Sequence, residues 1–308
     1  MNLRDSLLAG AVAVIWGFNF VVIDWGMHDV PPLLFVSIRF VVVLLPAIFL
    51  VRRPDAPWRT VLGVGLFMSL GQFGFLYVSM HAGMSPGLAA LVLQAQVIFT
   101  IVIAAGWLGE MPTAKQIGGV ILGSAGLIVV AVGRGGHVPL MALVLCVLGA
   151  LSWGIGNVIS RASGVKGGLS LTVWSALVVP VPLLALSLLL DGPTVVGEAL
   201  VGMGWEAVAS TLYTAGLASL VGYAIFNSLL SRYASSAVVP WVLLAPVVAM
   251  ASAWWLLDQR PNVAETAGGL LLLVGALIAL SSKVHQVVEY PAGSEETPAA
   301  KPRILDRS

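Results

Sequence analysis

Charge is scarce in this sequence. Of 308 residues, 9% are charged and the formal net charge is +1, whereas a soluble domain carries about a quarter charged residues. Water is therefore a poor match as the solvent for most of the chain. Lys and Arg form no dense patch, which removes the electrostatic footprint of a nucleic-acid partner. A single cysteine, Cys146, lies in an apolar run; it can form neither an internal disulfide nor a thiolate metal cluster, and it leaves the redox compartment open. The four histidines, His28, His81, His137 and His285, are scattered, mostly in expected loops, and no HExxH or CxxC occurs, so no metal site is expected. No GxxxxGK phosphate loop is present, which excludes self-powering by ATP through that motif. No cluster of titratable groups at one depth suggests an enzyme, and no cofactor is implied.

Apolar length is abundant. Hydrophobic residues make up 59% of the chain and the mean hydropathy is +1.00. A membrane helix needs about 20 mostly apolar residues, and ten such runs are present, at about 6–26, 32–51, 60–80, 85–108, 116–133, 138–160, 170–190, 207–230, 235–257 and 264–282. The breaks carry loop chemistry, such as Pro31-Pro32, Arg52-Arg53-Pro54-Asp55 and Asp191-Gly192-Pro193. The first run has no small-residue cleavage site followed by a polar chain, and reads as a retained helix rather than a signal peptide. Residues 283–308 are polar and rich in Pro, Ala and Glu, and read as a disordered tail.

Basic residues set the orientation. With the N-terminus inside, Arg4, Arg52, Arg53, Arg59, Lys115, Arg161, Lys166, Arg232 and Lys283 are cytoplasmic, while the outer loops keep Arg134 and Arg260. This asymmetry places both termini in the cytoplasm. The halves also echo each other. Trp16-Gly17-Phe18-Asn19 is answered by Trp153-Gly154-Ile155-Gly156-Asn157, and Leu108-Gly109-Glu110-Met111-Pro112 by Leu257-Asp258-Gln259-Arg260-Pro261; the second span of each half carries Pro46 or Pro182. Five spans per half is odd, so the second half, 135–282, is expected to run upside-down relative to the first, 1–134. Inverted repeats of this kind are a carrier architecture with a binding site near the midplane.

With these marks the sequence resembles the EamA-type proteins of the drug/metabolite transporter superfamily, and within them the exporters of O-acetylserine and cysteine. WGFNFVVI (16–23), PPLL (31–34), RF (39–40), QF (72–73), GLAALVLQAQ (87–96), VGY (221–223) and SRY (231–233) carry the likeness, which spans nearly all of the chain except the tail. It implies an all-α integral membrane protein of ten helices in two inverted five-helix repeats. It further implies inner-membrane export of small amino acids or their derivatives; another metabolite or drug of the superfamily, or a passive channel, are the alternatives. The chain departs from the pattern at Gln259, where the matching position of the first half is Glu110, and Asp258 is the candidate replacement for that carboxylate.

The candidate site residues follow from the cost of polar groups in lipid. Arg39, near the middle of the second span, suits a substrate carboxylate, with an interhelical salt bridge as the bland alternative. Asn19 and Asn157 each follow a Trp-Gly pair, and an amide can accept from an ammonium or donate to a carboxylate. Gln72, Gln94 and Tyr223 are further candidates, with Trp16, Trp153, Trp174 and Trp241 as cavity walls. Gln94 and Gln96 lie two apart, about 200° around a regular helix, so one is expected to face the cavity and the other a neighbouring helix. Glu110, near Lys115, and Asp258 are candidate gating groups, and Asp24 an interfacial one. The glycine pairs Gly83/Gly87 and Gly119/Gly123 read as helix-packing devices. The cavity is expected among spans 1, 3, 4, 6, 8 and 9.

Overall fold

The computed structural model describes residues 1–133, 138–165, 168–233 and 235–281. The expectations for the tail and for Arg134, His137, Lys166, Lys283 and His285 fall outside them. The described residues form helices and connecting turns and no strand. Among the described residues, ten helices are long and apolar enough to cross a bilayer: α1 (Leu3–Gly26), α2 (Pro32–Leu50), α3 (Trp58–His81), α4 (Pro86–Leu108), α5 (Ala114–Gly133), α6 (Leu140–Ala162), α7 (Leu169–Leu190), α8 (Trp205–Arg232), α9 (Ala237–Leu257) and α10 (Val263–Leu280). A short helix, Pro193–Val201, joins α7 to α8.

The helix ends follow local chemistry. The Asn2 side chain accepts the Asp5 N–H at 2.8 Å and opens α1. Pro32 and Pro86 occupy first-turn positions of α2 and α4, where no N–H is needed. Asn262 and Glu265 cap α10 reciprocally at 2.8 and 2.9 Å. Helices α4 and α9 both end on a left-handed residue, Gly109 with φ 66° and Asp258 with φ 51°. Glycine takes this conformation freely and aspartate tolerates it. Asp258 thus stands in the position of Gly109, and Gln259 in that of Glu110.

Several helices are irregular inside. Helix α3 widens to a π-helix over Gly65–Gly71 and α8 over Tyr213–Val221, while α4 tightens to 3-10 geometry over Leu93–Ala95. Such departures expose backbone carbonyls to outside partners. Ser152 of α6 donates to the Phe67 carbonyl of α3 at 2.7 Å, and Trp16 of α1 donates to the Ala218 carbonyl of α8 at 2.9 Å. The first helix of each half therefore holds the π-helical segment of the other half.

The packing follows the same crossed scheme. Helix α1 lies against α8 and α9, α6 against α3 and α4, α2 against α7, and α5 along α10. Lipid tails are as apolar as the helices, so close backbone approach has to supply the attraction. Glycine permits that approach at the contacts: a Cβ on Gly17 would stand 2.6 Å from Val248 Cβ, one on Gly154 2.8 Å from Phe99 Cβ, and one on Gly126 2.5 Å from the Gly268 carbonyl. The largest buried cluster centres on Phe35, Tyr77, Leu91 and Leu183, and Ser37 ties α2 to the Pro180 carbonyl of α7 at 2.8 Å.

Candidate functional site: a central polar cavity

A cavity of about 790 Å³ lies among α1, α3, α4, α6, α8 and α9. Arg39 of α2, Gln116 of α5 and the Ala279–Leu280 end of α10 also reach it, so its wall is wider than the six helices expected. Trp16, Asn19, Arg39, Gln72, Gln94, Trp153, Asn157 and Tyr223 all line it. Trp174 and Trp241 do not: Trp174 donates to the Val51 carbonyl at 3.0 Å, and Trp241 packs on Gly10.

Arg39, near the middle of α2, is buried, 4% exposed. Its Nη1 donates to the Tyr77 hydroxyl at 2.8 Å and its Nη2 to Ser219 Oγ at 3.0 Å. Its guanidinium carbon sits 4.6 Å above the centre of the Phe73 ring, and its Nε has no partner. Ser219 is held in turn by the Thr214 carbonyl at 2.8 Å, within the π-helical part of α8. Every partner of the cation is neutral; the interhelical salt bridge weighed for it does not form.

Amides line the cavity as well. Asn157 Nδ2 donates to Gln96 Oε1 at 2.8 Å and to Thr100 Oγ1 at 3.2 Å, and Thr100 donates to the Gln96 carbonyl at 2.7 Å. Gln94 and Asn19 are buried beside the cavity, and Asn19 Oδ1 has no partner. Gln96 bonds Asn157 on the neighbouring α6, as expected of one of the pair, but it also lines the cavity with Gln94, which corrects the expectation that only one faces it. The 3-10 turn at Leu93–Ala95 explains it. At about three residues per turn, two positions close to about 120° rather than the 160° of a regular helix, and the cavity wraps far enough to meet both. Trp16 stacks at 5.1 Å from Tyr223 and 5.2 Å from Phe226, giving the α1–α8 wall an aromatic face.

The cavity runs to the bundle face where α4, α6 and α10 end and α1 begins. Glu110 and Arg161 pair there at 2.6 Å, both at the cavity rim. Glu110 thus pairs with Arg161, not with the nearer Lys115. Asp258 lies outside the cavity, exposed and 3.3 Å from Arg260. A second hollow of about 350 Å³ opens from the opposite face and is lined by Asp24, Gln259, Arg260 and Glu265 among others. The two hollows nearly meet. Ile23, Leu76, Ala90 and Pro246 line the first, and Asp24, Met80, Leu88 and Met250 line the second on the same four helices. At ~1.5 Å rise per residue, the seal is at most about one helical turn thick. Gly87 packs there on Met250, where a Cβ would stand 2.7 Å from its Cα.

The residues that sequence reasoning missed are Thr100, Phe73, Ser219 and Arg161. Thr100 and Phe73 carried a legible signal, lying six residues after Gln94 and one after Gln72. Ser219 reaches Arg39 from a π-helix, and Arg161 reaches Glu110 across the bundle, so neither is marked by spacing.

Ten membrane-length helices among the described residues, around a cavity that holds buried polar side chains and is sealed at one face, define a polytopic transporter. The model of the EamA-like transporter family matches residues 5–132 and 140–281, and the chain belongs to that family. It is 40% identical to the "probable amino-acid metabolite efflux pump" of Escherichia coli K12, over 90% of this chain and 95% of that protein, and equally to the protein of the same name from Salmonella typhimurium LT2, with the same coverage. The uncharacterized transporter YvbV of Bacillus subtilis is 26% identical over 91% of this chain and 92% of its own. A solved crystal structure shares the fold at a TM-score of 0.58 and 19% identity, covering 91% of this chain and 99% of that one.

Proposed function

We propose that this protein is an inner-membrane secondary carrier that exports small amino acids or their derivatives, of the cysteine and O-acetylserine kind, and is not an enzyme. The observation that carries this reading is the central cavity with its buried polar side chains, reaching one face and separated from the hollow at the other by a thin seal. The names of the 40% identical relatives supply the cargo class. Residues 1–134 and 135–282 form two inverted repeats, a reading supported by the crossed α1–α8 and α6–α3 hydrogen bonds and the matched left-handed caps. Alternating access follows: one bundle moves against the other, the Glu110–Arg161 rim closes, and the seal at Gly87 and Met250 parts. With the N-terminus inside, the present form is open to the cytoplasm and ready to load. Asn19, Gln72, Gln94, Asn157, Trp16, Trp153, Tyr223 and Arg39 contact the cargo, and Glu110 gates its entry. Asp258 is surface-exposed and capping, so the gating role considered for it is not proposed.

The test is counterflow of labelled cysteine in inside-out vesicles. Saturable uptake that is accelerated by unlabelled cysteine on the far side is expected. Linear, non-exchanging flux supports a channel instead, and no counterflow with any amino acid ends the amino-acid reading.

A further inference from the structure

The described residues that line the main cavity include two cations, Arg39 and Arg161, and one acid, Glu110. Glu110 is taken by Arg161 at the rim. Arg39 is left deep in the bundle with a phenol, a hydroxyl and aromatic rings as its partners. A cation at this depth is costly and ordinarily finds a carboxylate. Here no carboxylate among the described residues is bonded to Arg39, and its buried Nε has no hydrogen-bond partner. The other polar side chains that line it among the described residues are neutral and include Asn19, Gln72, Gln94, Gln96, Asn157 and Thr100. Apart from Glu110 at the rim, no carboxylate among the described residues lines the cavity to pair with an ammonium group.

From this asymmetry we infer that the cavity recognises its cargo by a carboxylate at Arg39, and that an ammonium group on the cargo is dispensable. The ligand class is a small organic carboxylate whose other end carries neutral hydrogen-bonding groups. A free amino acid satisfies it, and so does the same molecule with its amine acylated or missing. The amide wall of Gln96, Thr100 and Asn157 meets that neutral end. This inference deepens the proposed export function and rests on the cavity assigned there.

The test is direct binding to the detergent-purified, full-length protein. It is read by ligand-induced shifts in thermal unfolding and by intrinsic tryptophan fluorescence, since Trp16 and Trp153 line the cavity. The probes are cysteine, N-acetylcysteine, 3-mercaptopropionate and cysteamine. The three carboxylates are expected to bind and cysteamine, which keeps only the amine, is not. Arg39→Gln should weaken the carboxylates by about tenfold or more, the loss expected for a charge-assisted hydrogen bond, and Arg39→Lys should retain part of the affinity. Comparing probes on the unaltered protein keeps the test valid even if a variant fails to fold. If cysteine fails to bind or exchange while N-acetylcysteine and 3-mercaptopropionate bind through Arg39, the carboxylate site stands and the amino-acid cargo falls. Cysteamine binding as tightly as 3-mercaptopropionate, or no binding by any carboxylate, overturns the inference.

Discussion

Gln94 and Gln96 differ in what holds them. Gln96 is engaged by Asn157, whereas Gln94 is buried beside the cavity with no hydrogen bond of its own among those found for Gln96 and its neighbours. Replacing either with leucine is expected to raise the half-saturation concentration for export about fivefold, the value of one neutral hydrogen bond of about 1 kcal/mol. Gln96→Leu should also destabilise the fold, because it strips Asn157 of its shorter acceptor; thermal melts in detergent separate the two effects. At the rim, Glu110 and Arg161 are both partly exposed, and such pairs contribute about 0–1 kcal/mol. Glu110→Gln is therefore expected to leave the melting temperature nearly unchanged while altering transport rate, and the charge swap of Glu110→Arg with Arg161→Glu should restore the rate. Polar residues inside apolar runs were legible in the sequence because lipid makes them expensive, and the cavity gathers six of those expected: Asn19, Arg39, Gln72, Gln94, Asn157 and Tyr223. Their hydrogen-bond partners were not legible, since Ser219 and Tyr77 meet Arg39 only through the crossing of α8 and α3 over α2.

Among the helices, α5 and α10 depend most visibly on glycine. A Cβ on Gly126 meets the Gly268 carbonyl, whereas one on Gly118, on the same helix, meets nothing within 4 Å. Gly126→Ala is expected to destabilise by ~1–3 kcal/mol through overpacking. Gly118→Ala should be neutral or stabilising by up to ~1 kcal/mol through helix propensity. Equal melting temperatures for the two variants would contradict this account of the interface. Helix positions were readable to within a few residues, because twenty apolar residues and a proline or glycine at the end are local signals. The π-helical parts of α3 and α8 and the 3-10 turn of α4 were not, because they answer to Ser152, Trp16 and the neighbouring helices. The angular reading of Gln94 and Gln96 failed at that turn.

For the molecule as a whole, access from one face is the expectation that can be probed without knowing the cargo. A cysteine at Thr100, in a variant whose native Cys146 is buried, should react with a membrane-impermeant thiol reagent from the N-terminal face and be shielded by bound cargo. The ten-span architecture was legible as soon as the apolar runs were counted; the depth of the cavity and the position of its floor depend on tertiary contacts that no local pattern encodes. That floor has an electrical consequence. Water filling the two hollows carries the potential of each face inward, so the membrane voltage falls across about one helical turn. One elementary charge crossing that turn then gains or loses nearly the full ~2.3 kcal/mol per 100 mV. Cargo that leaves as a net anion should therefore drive a measurable current that an interior-negative voltage accelerates, while a zwitterion carried through the same gap should move silently.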